Sequence, residues 1–124
     1  MKKKIEELTI EGVTYVPKDS VSKGAEPDKD GLPYKMIRTY SAGVFCGYLK
    51  ERNGKEGILL EAIRIWKWSG AASLSQLSQE GTNDPDNCKF GMPIEELELT
   101  EIIEVMSMTE KAQKSIKEKE SWKV

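Results

Sequence analysis

Val44-Phe45-Cys46-Gly47-Tyr48-Leu49, then Arg52-Asn53-Gly54-Lys55, then Ile58-Leu59-Leu60-Glu61-Ala62-Ile63-Arg64-Ile65-Trp66-Lys67-Trp68, carries the pattern of two long strands joined by a tight turn. The first run is apolar nearly throughout, which predicts a central strand buried on both faces. Gly47 inside it predicts a bulge or the close approach of another backbone. Asn53-Gly54 is a strong hairpin signal, because both central positions of a type I′ turn need positive φ. A returning strand over 58–68 follows. The centre of the molecule is therefore a long antiparallel hairpin.

Working outward, Met36 to Tyr40 reads as a strand that turns into Val44 through the tight Ser41-Ala42-Gly43 break. Before it, Leu8 to Pro17 is a short hairpin candidate, with Glu11-Gly12 at its turn. Residues 18–33 are polar and rich in Gly and Pro, and predict a flexible loop. After the central hairpin, Ser69-Gly70 is a break. Ala71 to Glu80 predicts a short helix capped by Ser69 and stopped at Gly81, with Leu74 and Leu77 on its apolar stripe. A turn-rich loop over 82–87 leads to a brief strand at Lys89-Phe90. Leu97 to Thr100 and Ile102 to Met106 predict one or two further strands. Ser107-Met108-Thr109-Glu110 fits a capping box with Ser107 as cap, so a last helix runs from Thr109 to about Lys117. The sequence predicts one α+β domain over 1–124: an N-terminal arm (1–17), a flexible loop (18–33), a core (34–117) and a tail (118–124) that is solvated apart from Trp122. The sheet is mainly antiparallel and built from hairpins, with a short central helix and a C-terminal one.

Composition narrows the function. The 124 residues carry 19 Lys and Arg against 21 Asp and Glu, a net charge of −2 that argues against long nucleic acid as partner. A small anionic ligand needs only a few placed cations. There is no histidine, which removes the commonest acid/base group at neutral pH and the commonest metal ligand. Cys46 and Cys88 stand far apart without a second pair, so neither a metal nor a cofactor is expected. No apolar run approaches the roughly 20 residues of a membrane span. A cytosolic protein that is not an enzyme is expected.

The candidate binding residues are cations, aromatics and small polar groups. Arg38 and Tyr40 share a strand face and lead into Ser41, whose bend exposes backbone N–H groups suited to a phosphate or a ribose. The alternative is a surface Arg with a Tyr covering the sheet edge. Arg64, Trp66 and Trp68 alternate with Ile65 and Lys67, so two indoles and a guanidinium are expected on one face, where they could stack a base. Ordinary core with the Arg snorkelling out is the other reading. Ser73 sits where a small-residue turn enters a helix, a place that could hold an anion or simply allow close packing. Asn87, Lys89 and Phe90 put an amide, a cation and a ring in a row. Thr109 and Lys111 lie at the start of the last helix. Capping and solvated charge are the plainer accounts of these two groups.

The strings Arg38-Thr-Tyr-Ser-Ala-Gly-Val, Arg64-Ile-Trp-x-Trp, Gly70-Ala-Ala-Ser-Leu-Ser-Gln-Leu, Asn87-Cys-Lys-Phe and Thr109-Glu-Lys-Ala-Gln-Lys-Ser-Ile together resemble a family of small phage and prophage proteins, the first-described class of Thoeris anti-defence sponges. That resemblance implies a homo-oligomer, a dimer or larger, acting in the cytoplasm of the bacterial host. It would bind and sequester cyclic ADP-ribose isomers such as glycocyclic ADP-ribose without cleaving them, and so block TIR-based signalling. It further implies that some members take up cyclic oligonucleotides. The runner-up reading is a phage module that binds a host protein through its Trp/Arg face.

Overall fold

The computed structural model describes residues 23–124. The expected hairpin over residues 8–17, and residues 18–22 of the expected loop, lie outside the described residues. Six strands and two helices follow one another as β1 (Tyr34–Thr39), β2 (Val44–Asn53), β3 (Glu56–Lys67), α1 (Leu74–Glu80), β4 (Lys89–Phe90), β5 (Ile94–Leu99), β6 (Ile102–Ser107) and α2 (Glu110–Glu118). All strand pairs are antiparallel. The protein is α+β, as its hairpin pattern predicts.

The central β2–β3 hairpin turns at Asn53-Gly54-Lys55, with Gly54 at φ 62°. β1 and then β6 extend the sheet from β2, while β4 and β5 share the outer edge of β3. β5 and β6 thus lie on opposite sides of the sheet, yet only Thr100 and Glu101 separate them in the chain. The sheet must curl until its two edges meet. One hydrogen bond records that closure: Ile102 N–H, at the start of β6, donates to Lys55 C=O in the β2–β3 turn at 2.9 Å. The curvature comes from register shifts in the β2–β3 ladder between Cys46 and Tyr48 and between Leu49 and Glu51. An extra residue on one strand bends and twists it. Gly47 permits the first shift, since a Cβ there would lie 2.7 Å from Leu59 Cγ and 2.8 Å from the Leu60 carbonyl. Across from it, Glu61 takes φ 51°.

Alternation along the strands fills two cores. Ile37, Phe45, Leu59, Ala62, Leu99 and Ile102 pack together within the curl. Met36, Cys46, Ile63, Ile65 and Phe90 form the other face and pack with Leu77 of α1 and with Ala112 and Ile116 of α2. β2 supplies both cores, so it is buried on both faces as its apolar run requires.

The helix starts differ from expectation. α1 begins at Leu74, and its cap is Ser73, whose hydroxyl accepts from Gln76 N–H. Ser69 does not cap it, because that hydroxyl donates to Asp84 instead. α2 is capped by Thr109, which accepts from Ala112 N–H at 3.1 Å. Ser107 cannot do this because it still belongs to β6, paired with Lys35. Residues 23–33, part of the expected loop, bond to the β6–α2 junction. Ala25 N–H donates to Met108 C=O at 3.0 Å, and Glu110 N–H to Lys23 C=O at 2.8 Å.

Candidate functional site

The site grows from the end of β3. Pairing places Arg64 opposite Phe45, on the inner face of the sheet. Its guanidinium carbon lies 4.7 Å from the Phe45 ring centre and 5.1 Å from that of Trp66. The cation is thus held between two π-faces. Among the described residues its buried Nε has no hydrogen-bond partner and no carboxylate pairs with it. Trp66 is 56% exposed. Gly91 donates its N–H to Arg64 C=O at 2.8 Å, and its missing side chain lets the Trp66 indole lie alongside.

The C-terminal tail completes the cluster. Beyond α2, Trp122 N–H donates to Phe90 C=O at 2.9 Å, which lays the tail along β4. The Trp122 ring meets Trp66 edge to face, with centroids 6.0 Å apart and planes at 72°. Lys89 Nζ sits 4.9 Å from the Trp122 ring centre. Beside these groups lies a cleft of about 320 Å³ lined in part by Lys67, Asn87, Lys89, Lys119, Trp122 and Lys123. Four lysines face two carboxylates, Asp86 and Glu120, in this lining, a local positive excess in a chain of net charge −2. The cleft's size falls at the small end of small-molecule sites.

The structure sorts the residues singled out by sequence. Arg64 lies on Trp66, while Asn87 and Lys89 line the cleft together with Trp122, which links the two groups by meeting Trp66. Trp68 does not join them. The β3–β4 register shifts between Ile65 and Lys67 and β3 ends there, so Trp68 packs half-buried against the helix-side core. Phe90 is 1% exposed; it belongs to that core and presents no face to a ligand. Asn87 donates to the Asp84 carboxylate at 2.9 and 3.1 Å. This bond, with the Ser69 hydroxyl helping, holds the Asp84 carboxyl below its ordinary value.

Arg38 lies elsewhere. It pairs with Val44, on the helix side, and is bound to Glu104 at 2.8 Å. Tyr40 is freely exposed, while Ser41 donates to the Glu101 carboxylate. The N–H of Ala42 in that bend is taken by the Thr39 hydroxyl. The expected anion cradle around Ser73 is also filled from within. Ser69 N–H points to Cys88 Sγ and Ala72 N–H to Gln76 Oε1, at 3.3 and 2.7 Å. Gly70 packs against the Thr82 hydroxyl, the Asn83 side chain and the Asp84 backbone nitrogen, and the Asp84 carboxylate accepts from the neighbouring Ser69 hydroxyl. Thr109 is buried, donating to Gln79 C=O at 2.6 Å. Lys111 is exposed in a different cleft, of about 420 Å³, with Lys114.

Four contributors escaped sequence reasoning: Lys67, Lys119, Trp122 and Lys123. An isolated Trp in a charged tail was the available signal, but its docking partner is over thirty residues away. Among the described residues no group of three or more His, Cys, Asp or Glu side chains is placed to hold a metal, and no helix is long and apolar enough to cross a membrane. The arrangement offers a planar π-surface beside a set of cations, the means to hold an aromatic ring and an anion together.

No curated protein and no solved structure matches the chain. A family model described as a domain of unknown function matches residues 32–116, well over half of the chain, so the protein belongs to that family, DUF6948.

Proposed function

We propose that the protein is a non-enzymatic binder of a small anionic nucleotide, which it sequesters intact. The observation that carries this reading is the open cation–aromatic cluster: Arg64 on Trp66, Lys89 on Trp122, and both indoles at least half exposed beside a lysine-lined cleft. Exposed tryptophans stacked with cations suit a purine, and the lysines suit a pyrophosphate. The resemblance noted above makes the ligand a cyclic ADP-ribose isomer, the setting the cytoplasm of an infected bacterium, and the consequence a block on TIR-based defence. One protomer's cleft encloses a dinucleotide only in part, so self-association belongs to the proposal. Calorimetry with purified cyclic ADP-ribose isomers at micromolar protein tests it. Saturable heat near one ligand per site supports the reading, and no heat with any isomer refutes it.

A second reading rests on a different observation. Trp66 on β3, Met92 between β4 and β5, Ile94 on β5 and Trp122 in the tail are each 42% exposed or more. Such exposed apolar side chains with an adjacent Arg suit a host protein. Capture of one stoichiometric partner from host lysate, with no small molecule released on heating, would favour it over the first.

A further inference from the structure

The cleft is built from two parts of the chain that differ in how firmly they are held. Lys67, Asn87 and Lys89 stand on the sheet and the loop packed against it. Lys119, Glu120, Ser121, Trp122 and Lys123 supply half of the lining, and all five lie beyond the segment the family model matches. Helix α2 ends at Glu118, and Lys119 turns extended at φ −68°, ψ 129°. From there, among the described residues, a single hydrogen bond ties the tail to the body, from Trp122 N–H to Phe90 C=O. The remaining attachments are ring contacts: Trp122 edge-on to Trp66, and Lys89 over Trp122.

We infer that residues 119–124 form a strap that closes over the bound ligand, with Trp122 as the second face of a stacking clamp and Lys119 and Lys123 as mobile cations for its anionic part. This rests on the nucleotide-binding reading above. The geometry makes the motion small. A planar ring stacked between two indoles needs their centres about 7–8 Å apart, two van der Waals contacts of roughly 3.5–4.0 Å. They now stand 6.0 Å apart at 72°. Opening by one or two ångströms, with Trp122 rotating towards parallel, makes the slot. Breaking one backbone bond permits that without disturbing either core. A clamp that shuts behind its guest slows escape more than entry, which is what a sequestering protein needs.

The test is stopped-flow and equilibrium binding of cyclic ADP-ribose to the full chain and to Trp122→Ala, Trp66→Ala and Lys119→Gln/Lys123→Gln, with amide exchange at residues 119–124. The strap predicts that Trp122→Ala raises the dissociation rate tenfold or more while the association rate changes less than threefold. It also predicts that ligand slows exchange at the Trp122 amide. Equal dissociation rates for Trp122→Ala and the unaltered protein, with Trp66→Ala still impaired, would overturn the strap and leave the binding site standing. No binding of any cyclic ADP-ribose isomer by the unaltered protein would overturn both.

Discussion

Two clusters of aromatics and cations occur on this sheet, and they meet opposite fates. Tyr34 and Tyr48 stack edge to face at 4.9 Å, with Lys117 lying 4.8 Å from the Tyr48 ring centre. Both rings are almost fully buried, and Lys117 Nζ donates to the Tyr48 hydroxyl at 2.5 Å. Gln113 closes the same group from α2. Burial pushes the Tyr34 phenol far above its ordinary range, so it stays neutral. Here the cation and rings are spent on holding a helix to the sheet. In the second cluster Arg64, Trp66, Trp122 and Lys89 make the same kinds of contact, and among the described residues no helix lies above them. The lesson is that residue type does not separate a covered aromatic–cation cluster from an open one. What separates them is whether another element already occupies the open side of the rings.

That contrast can be broken by substitution. The largest effect is expected where an aromatic beside the site is core. Phe90→Ala should cost about 3–5 kcal/mol of stability, read by chemical denaturation. A loss below about 1 kcal/mol would mean that Phe90 is not the packed residue described. Next comes Trp66→Ala, which should weaken nucleotide binding by about 1–3 kcal/mol, roughly 5- to 150-fold. Its stability should change by no more than about 0.5 kcal/mol. Reversed outcomes for these two variants would exchange their roles.

Tyr48→Phe should cost about 1 kcal/mol of stability through the lost Lys117 bond and leave ligand affinity unchanged. A parallel loss of affinity would show that the closed cluster also serves the ligand. The smallest effect concerns Asp84, which ties the loop over 82–88 through Asn87 and Ser69. Its folded value lies below the ordinary 3.8. The stabilisation is therefore complete above about pH 3.8 and is lost as pH falls through the lower, folded value. In Asp84→Asn the decline in stability between pH 4 and pH 2 should be shallower than in the unaltered protein. An identical pH profile would remove Asp84 as the cause.

The fold was legible because its signals are local. Asn53-Gly54 marks the hairpin, the apolar run from Val44 marks a strand buried on both faces, and Gly47 marks the bulge. The helix caps were displaced by four residues and by two, since Ser69 and Ser107 each have a competing partner that no local pattern reveals. The site was half legible. Period-two alternation joined Trp68 to Arg64 and Trp66, but that alternation assumes an unbroken pleat, and the shift between Ile65 and Lys67 sends Trp68 to the other face. Trp122 was hidden because its role depends on a tail folding back onto β4.

On the proposed function, the open cluster holds a small anionic nucleotide without changing it. The most direct measurement is mass spectrometry of what boiled protein releases after incubation with an extract containing an activated TIR enzyme. The account predicts an intact cyclic ADP-ribose isomer, near one molecule per site, from the unaltered protein and far less from Trp66→Ala. Recovery of a linear hydrolysis product, or of no nucleotide from either protein, would contradict it.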